Sequence, residues 1–137
     1  VHCPALVLVP SEDCFGAVAR LRDVLAPFRD REPAGAGDPR QARYDWYDIG
    51  GRFFDLFRGE VCWPVRGLPK NIPVRVRHVV EPNGEWHDVD VQSCWPVTSP
   101  AEEQSVGRKS RTAWAAEVTE VLSAYPDHQA VLVDLHH

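Results

Sequence analysis

With 137 residues, a hydrophobic fraction of 44% and a charged fraction of 26%, the chain has the size and balance of one globular domain able to bury a real core. A formal net charge of -5 argues against a face built for duplex nucleic acid, and no apolar run approaches the roughly 18 residues that span a bilayer. The opening Val1-His2-Cys3-Pro4 lacks the basic flank of a signal peptide, so a soluble cytoplasmic protein with no membrane partner is expected.

In chain order, the continuous apolar run from Ala5 to Val9 describes a strand buried on both faces. Pro10 stops it, Ser11 is a suitable N-cap, and Cys14, Val18, Leu21 and Leu25 mark one face of a helix that ends at Pro27. Residues 29–43 are glycine, proline, alanine and charge without a period, which predicts a mobile loop. An aromatic insert follows over residues 44–70. Within it Trp46, Ile49, Phe53, Leu56 and Phe57 recur at helical spacing, with Asp45, Asp48, Arg52 and Asp55 one position behind.

Gly50 and Gly51 interrupt that pattern. Two glycines inside a helix cost about 2 kcal/mol relative to alanine, so a break or a close backbone approach is expected there, and Gly51 should tolerate substitution worse than Gly35. Beyond the insert, Val74, Val76, His78 and Val80 alternate with Arg75 and Arg77, and Pro82-Asn83-Gly84 supplies the turn of a hairpin returning over Glu85 to Val91. A polar loop from Cys94 to Gly107 precedes a helix with Trp114, Val118, Val121 and Leu122 on one face, and Gln129 to His136 reads as a closing strand.

This order predicts a single α+β domain over residues 1–137. Its expected form is a ferredoxin-like, split βαβ sandwich with an antiparallel or mixed sheet, two helices on one face and the aromatic insert over the other. The cysteines at positions 3, 14, 62 and 94 contain no Cys-x-x-Cys pair and read as reduced thiols filling the core, which argues against a zinc finger.

Asp45-Trp46-Tyr47-Asp48-Ile49-Gly50-Gly51-Arg52-Phe53 resembles the Asp-Trp-Tyr-x-Ile-Gly-Gly-Arg-Trp signature of a group of small uncharacterised bacterial and phage proteins, with Phe53 where tryptophan is usual. Pro82-Asn83-Gly84-Glu85-Trp86 and Val133-Asp134-Leu135-His136 are similar to later segments of that group. The resemblance implies kinship and carries no chemistry with it.

Two candidate sites emerge from the residues themselves. The first is the insert, where Trp46, Tyr47, Gly50, Gly51, Arg52 and Phe53 combine rings, exposed amides and a guanidinium. Its leading reading is a recognition surface for a partner protein or a second copy in a homodimer, with a small anionic ligand as a further candidate. The alternative is an enzyme without an organic cofactor, in which Asp45, Asp48, Arg52 and His136 act as acid, base and anion clamp. The structural alternative to both is that Arg52 pairs with its neighbouring aspartates. The second site depends on topology: antiparallel first and last strands would gather His2, Cys3, Asp134 and His136, a donor set suited to zinc. His78, alone on an apolar strand face, is expected to be buried and hydrogen-bonded.

Overall fold

The computed structural model describes residues 1–29, 43–90 and 108–136. The loop expected over residues 29–43 lies outside that range but for its two ends, and the polar loop expected from Cys94 to Gly107 lies wholly outside it.

The central strand, β1 (His2–Val9), is buried along almost its whole length, as its apolar run requires. It pairs antiparallel with β6 (Gln129–His136), from His2 opposite His136 to Val9 opposite Gln129, and parallel with β4 (His78–Val80) on its other side. The hairpin partner β5 (Trp86–Asp88) borders β4, while β2 (Trp46–Ile49) and β3 (Cys62–Pro64) pair with successive stretches of the far edge of β6. Among the described residues one six-stranded mixed sheet results.

This order corrects the ferredoxin-like expectation. A split βαβ unit needs a strand between its two parallel members, whereas β4 lies directly beside β1. The helices also take opposite faces. Helix α1 (Cys14–Leu25) packs Ala17, Leu21 and Leu25 against Ala5, Val7 and Val9, while α2 (Arg111–Ser123) packs Trp114, Val118 and Val121 against Leu6 and Leu8. Alternation along β1 sends odd residues to one helix and even residues to the other. The doubly buried strand is therefore explained by a helix on each side, each fully buried aliphatic side chain contributing about 1.5–3 kcal/mol. The insert shares in covering both faces and does not shelter one by itself. It extends the sheet beyond β6 and divides its rings, with Tyr44 and Tyr47 on the α1 side and Phe57 and Trp63 on the α2 side.

Local chemistry accounts for the boundaries. Asp13, rather than Ser11, caps α1 by accepting from the Gly16 N–H at 2.7 Å, and Ser11 braces the cap by donating to the Asp13 carbonyl at 2.8 Å. Ser110 caps α2 through the Ala113 N–H. The helix-like spacing from Trp46 yields to a strand, because β6 offers an unpaired edge whose hydrogen bonds a four-residue segment can take up at once. After Gly50, at φ 72°, only short 3-10 turns follow, Gly51–Phe53 and Asp55–Phe57. The hairpin forms with a shorter first strand than its alternation suggests, since Pro73 opens a 3-10 turn over Pro73–Arg75. Arg77 then pairs with Asp90 at 2.6 Å. Among the described residues no helix is long and apolar enough to cross a membrane.

Cys14 and Cys62 are joined by a disulfide, their Cα atoms 5.8 Å apart, which corrects the reading of both as reduced thiols. Cys3 is buried. The bond ties the start of α1 to β3, two elements 48 residues apart in sequence. Such bonds characterise oxidising compartments, which runs against the cytoplasmic expectation. Cys62→Ser is expected to cost about 4 kcal/mol, because closing a loop of this length constrains the unfolded chain. Urea melts of parent and variant measure it, and a disulfide-linked peptide in a non-reducing digest identifies the bond.

Candidate functional site

The antiparallel pairing of β1, β6 and β2 places His2, Asp134, His136, Trp46 and Asp48 on one face at one end of the sheet. Asp134 is the anchor. Its side chain is 2% exposed, its carboxylate accepts from the Arg52 backbone N–H at 3.0 Å, and His2 Nδ1 sits 3.0 Å from both of its oxygens. Gly51, at φ 47°, permits this approach, since a Cβ there would fall 2.4 Å from Asp134 Cβ. The corner thus exists to bring a backbone amide onto a buried carboxylate from the last strand.

Around this anchor the rings are layered. Trp46 stacks on His136 with centroids 4.8 Å apart and planes 15° from parallel, and His2 meets both rings edge-on at 5.6 and 4.8 Å. His136 Nδ1 lies 3.6 Å from Asp45 Oδ2, beyond hydrogen-bond range, and among the described residues it has no hydrogen-bond partner. Trp46, Asp48 and Arg52 are exposed. Among the described residues the Arg52 guanidinium makes no hydrogen bond or ion pair, so it is not sequestered by Asp45, Asp48 or Asp55. Tyr47 turns to the other face, edge-on to Tyr44 at 5.7 Å, and Phe53 packs at the margin of the α2 core.

The same geometry divides the donors expected for a terminal metal site. His2, Asp134 and His136 do share a face, but Cys3 is opposite Leu135 and points to the other side. His2 is committed to Asp134, and His136 is stacked on Trp46. Among the described residues these side chains do not converge as ligands; Glu81, Glu85 and His87 do. Three surface grooves, of about 500, 400 and 290 Å³, lie elsewhere, and Asp45, Asp48, Arg52 and His136 line none of them.

Two further histidines are organised by carboxylates. His78 is buried and hydrogen-bonded as expected, with Nδ1 2.7 Å from Asp88 Oδ1. Asp88 is desolvated, which by itself would raise its pKa. The His78 hydrogen bond and the nearby charges of His78 and Arg43 outweigh this and hold it below the ordinary 3.8.

His87 bridges two elements. Its Nε2 is 2.6 Å from Glu81 Oε2, and its Nδ1 is 3.3 Å from Glu117 Oε1 on α2. Lys109 donates to the other Glu117 oxygen at 2.7 Å, and the Tyr125 hydroxyl donates to Glu81 Oε1 at 2.6 Å. Burial opposes the charged imidazolium, but the hydrogen bonds to Glu81 and Glu117 prevail and His87 is held above 6.5. Glu81 feels burial in the same way, yet its bonds from His87 and Tyr125 hold it below 4.5, and its acceptance from Tyr125 pushes that phenol above 10.0.

Linkage sets the signs. The His87 contribution is complete below pH 6.5 and is lost as pH rises through its folded value, while the Glu81 contribution is present above 4.5 and is lost as pH falls through its own. In chelator-treated buffer, raising pH from about 6 to about 8.5 should lower the melting temperature of the parent, and His87→Gln should flatten that slope. Parallel slopes would remove the network from the account.

Nothing in the local sequence announces this network, because Glu117 and Lys109 reach the hairpin only through tertiary packing. Among the described residues, fold and sites together define an α+β protein in which one mixed sheet lies between two helices and carries three carboxylate-anchored histidines, His2, His78 and His87. Compared with protein-family models, curated proteins and solved structures, the chain matches none.

Proposed function

We propose that this chain is a recognition module that docks a partner protein chain through the outer edge of β2 and the Gly50-Gly51-Arg52 turn. The observation that carries the reading is the exposure of two large rings on this short insert, Trp46 at 45% and Phe54 at 47%, beside the exposed Arg52. Tryptophan and arginine dominate interface energetics, and an edge strand offers backbone groups for a further strand. The guanidinium supplies the place for an acidic group on that partner.

The test is crosslinked capture from host lysate by the parent and by a Trp46→Ser/Phe54→Ser variant, with light scattering in parallel. A defined protein captured at one-to-one ratio by the parent and lost in the variant supports the reading. A monomer that captures the same proteins as its variant overturns it, and self-association lost in the variant assigns the surface to a second copy.

A second reading rests on the His2–Asp134 pair. A buried carboxylate holding an imidazole through Nδ1 is how a general base is oriented, with Arg52 as anion clamp for a small substrate. In this geometry His2, rather than His136, has the carboxylate behind it. Docking depends on Arg52 and tolerates His2→Ala, whereas catalysis requires both.

A further inference from the structure

We propose that Glu81, Glu85 and His87 form a mononuclear site for a divalent transition metal of the zinc class, built into the β4–β5 hairpin. Their ligand atoms lie within 4.8 Å of one another, and the donors span a single seven-residue turn. That turn is well defined. The Glu81 N–H donates to the Glu85 carbonyl at 2.9 Å, the Gly84 N–H donates to the Glu81 carbonyl at 2.9 Å, and Asn83 Oδ1 accepts from the Glu85 N–H at 3.0 Å. An imidazole nitrogen and carboxylate oxygens are both donors that zinc accepts, and three protein ligands leave a fourth tetrahedral position open to water.

What distinguishes the trio from an ordinary surface ion pair is how its non-ligating atoms are held by residues from a different element. His87 Nδ1 faces Glu117 of α2, which Lys109 fixes in turn, so Nε2 is the nitrogen presented to Glu81 and Glu85. Tyr125 occupies Glu81 Oε1, leaving Oε2 toward the imidazole. Metal-bound histidines are oriented by a carboxylate on the opposite ring nitrogen in this way. Glu85 is exposed and gives the ion a route in, while Glu81 is buried and gives the site a rigid floor.

Binding replaces the Nε2 proton of His87 with the ion, and the proton leaves to solvent. The Nε2–Oε2 separation of 2.6 Å then widens to about 3.3 Å, the spacing of two ligands on a tetrahedral ion. The titratable groups facing the site are Glu81, Glu85, Glu117, Lys109 and Tyr125, and its affinity falls as pH drops and the proton competes for His87.

The experiment is calorimetric titration of the chelator-treated full chain with zinc chloride, with magnesium chloride as a hard-cation control. One equivalent of zinc is expected, with affinity reduced at least tenfold by Glu85→Gln and about tenfold by Glu117→Gln, and unchanged by His136→Ala. Melts in chelator verify that each variant folds. X-ray absorption of the zinc-loaded parent should show one imidazole with oxygen ligands and no sulfur. Absence of one-to-one uptake, retention of full affinity in Glu85→Gln, loss in His136→Ala, or a sulfur ligand each overturns the assignment.

Discussion

Gly51→Ala is expected to destabilise the chain by about 2.5–4 kcal/mol, as two costs add. A left-handed backbone disfavours any L side chain by about 1 kcal/mol, and φ at Gly51 is 47°. The new Cβ would also lie 2.6 Å from Asp134 Oδ2 and 2.9 Å from its Cγ. Asp134 is buried within paired β6 and cannot swing aside, so the corner must lift and release the Arg52 N–H from the carboxylate. A charge-assisted bond lost from a buried acceptor costs about 1.5–3 kcal/mol. Gly67→Ala is the control, since its Cβ would meet only Pro64 Cδ at 4.0 Å. Urea midpoints for the two variants should differ widely, and equal midpoints would show that the corner yields without cost.

Trp114→Ala should be of similar size, about 4 kcal/mol, for a different reason. Trp114 is 1% exposed at the centre of the α2 face, packed with Leu6, Leu8 and Val79, and its removal leaves a cavity that the paired sheet cannot collapse to fill. Its Nε1–H donates to the Val76 carbonyl at 3.1 Å, holding the backbone between the Pro73–Arg75 turn and β4. Trp114→Phe retains most of the volume and loses that bond, so about 1–2 kcal/mol is expected. Equal losses in the two variants would mean that the hydrogen bond, not the packing, dominates.

Much of this fold is legible one segment at a time. The unbroken run from Ala5 to Val9 announces a strand covered on both sides, the spacing of Trp114, Val118 and Val121 announces the face that α2 buries, and Pro82-Asn83-Gly84 announces the hairpin. The paired glycines mark a corner where backbone approaches something closely, although not that the something is Asp134. His78 is readable as a satisfied core histidine because a lone imidazole among valines must find a partner. These signals are local, set by steric periodicity and turn chemistry within about ten residues.

What the sequence alone determined is therefore the central strand, the hairpin, the closing strand and the two helices, each from its own period and turn chemistry. Tertiary structure decided the rest. Alternation shows that β1 has two faces but not which helix takes which, so the opposite-face arrangement and the direct pairing of β1 with β4 required the assembled sheet. Trp46 to Ile49 belong to a helical spacing in the sequence, and the edge of β6 overrode it through backbone hydrogen bonds that no local preference encodes. The Cys14–Cys62 bond, the His2–Asp134 pair and the reach of Glu117 to His87 join residues 48, 132 and 30 positions apart. Each depends on register and layer, which are set by the cooperative burial of the whole core and not by the residues that finally meet.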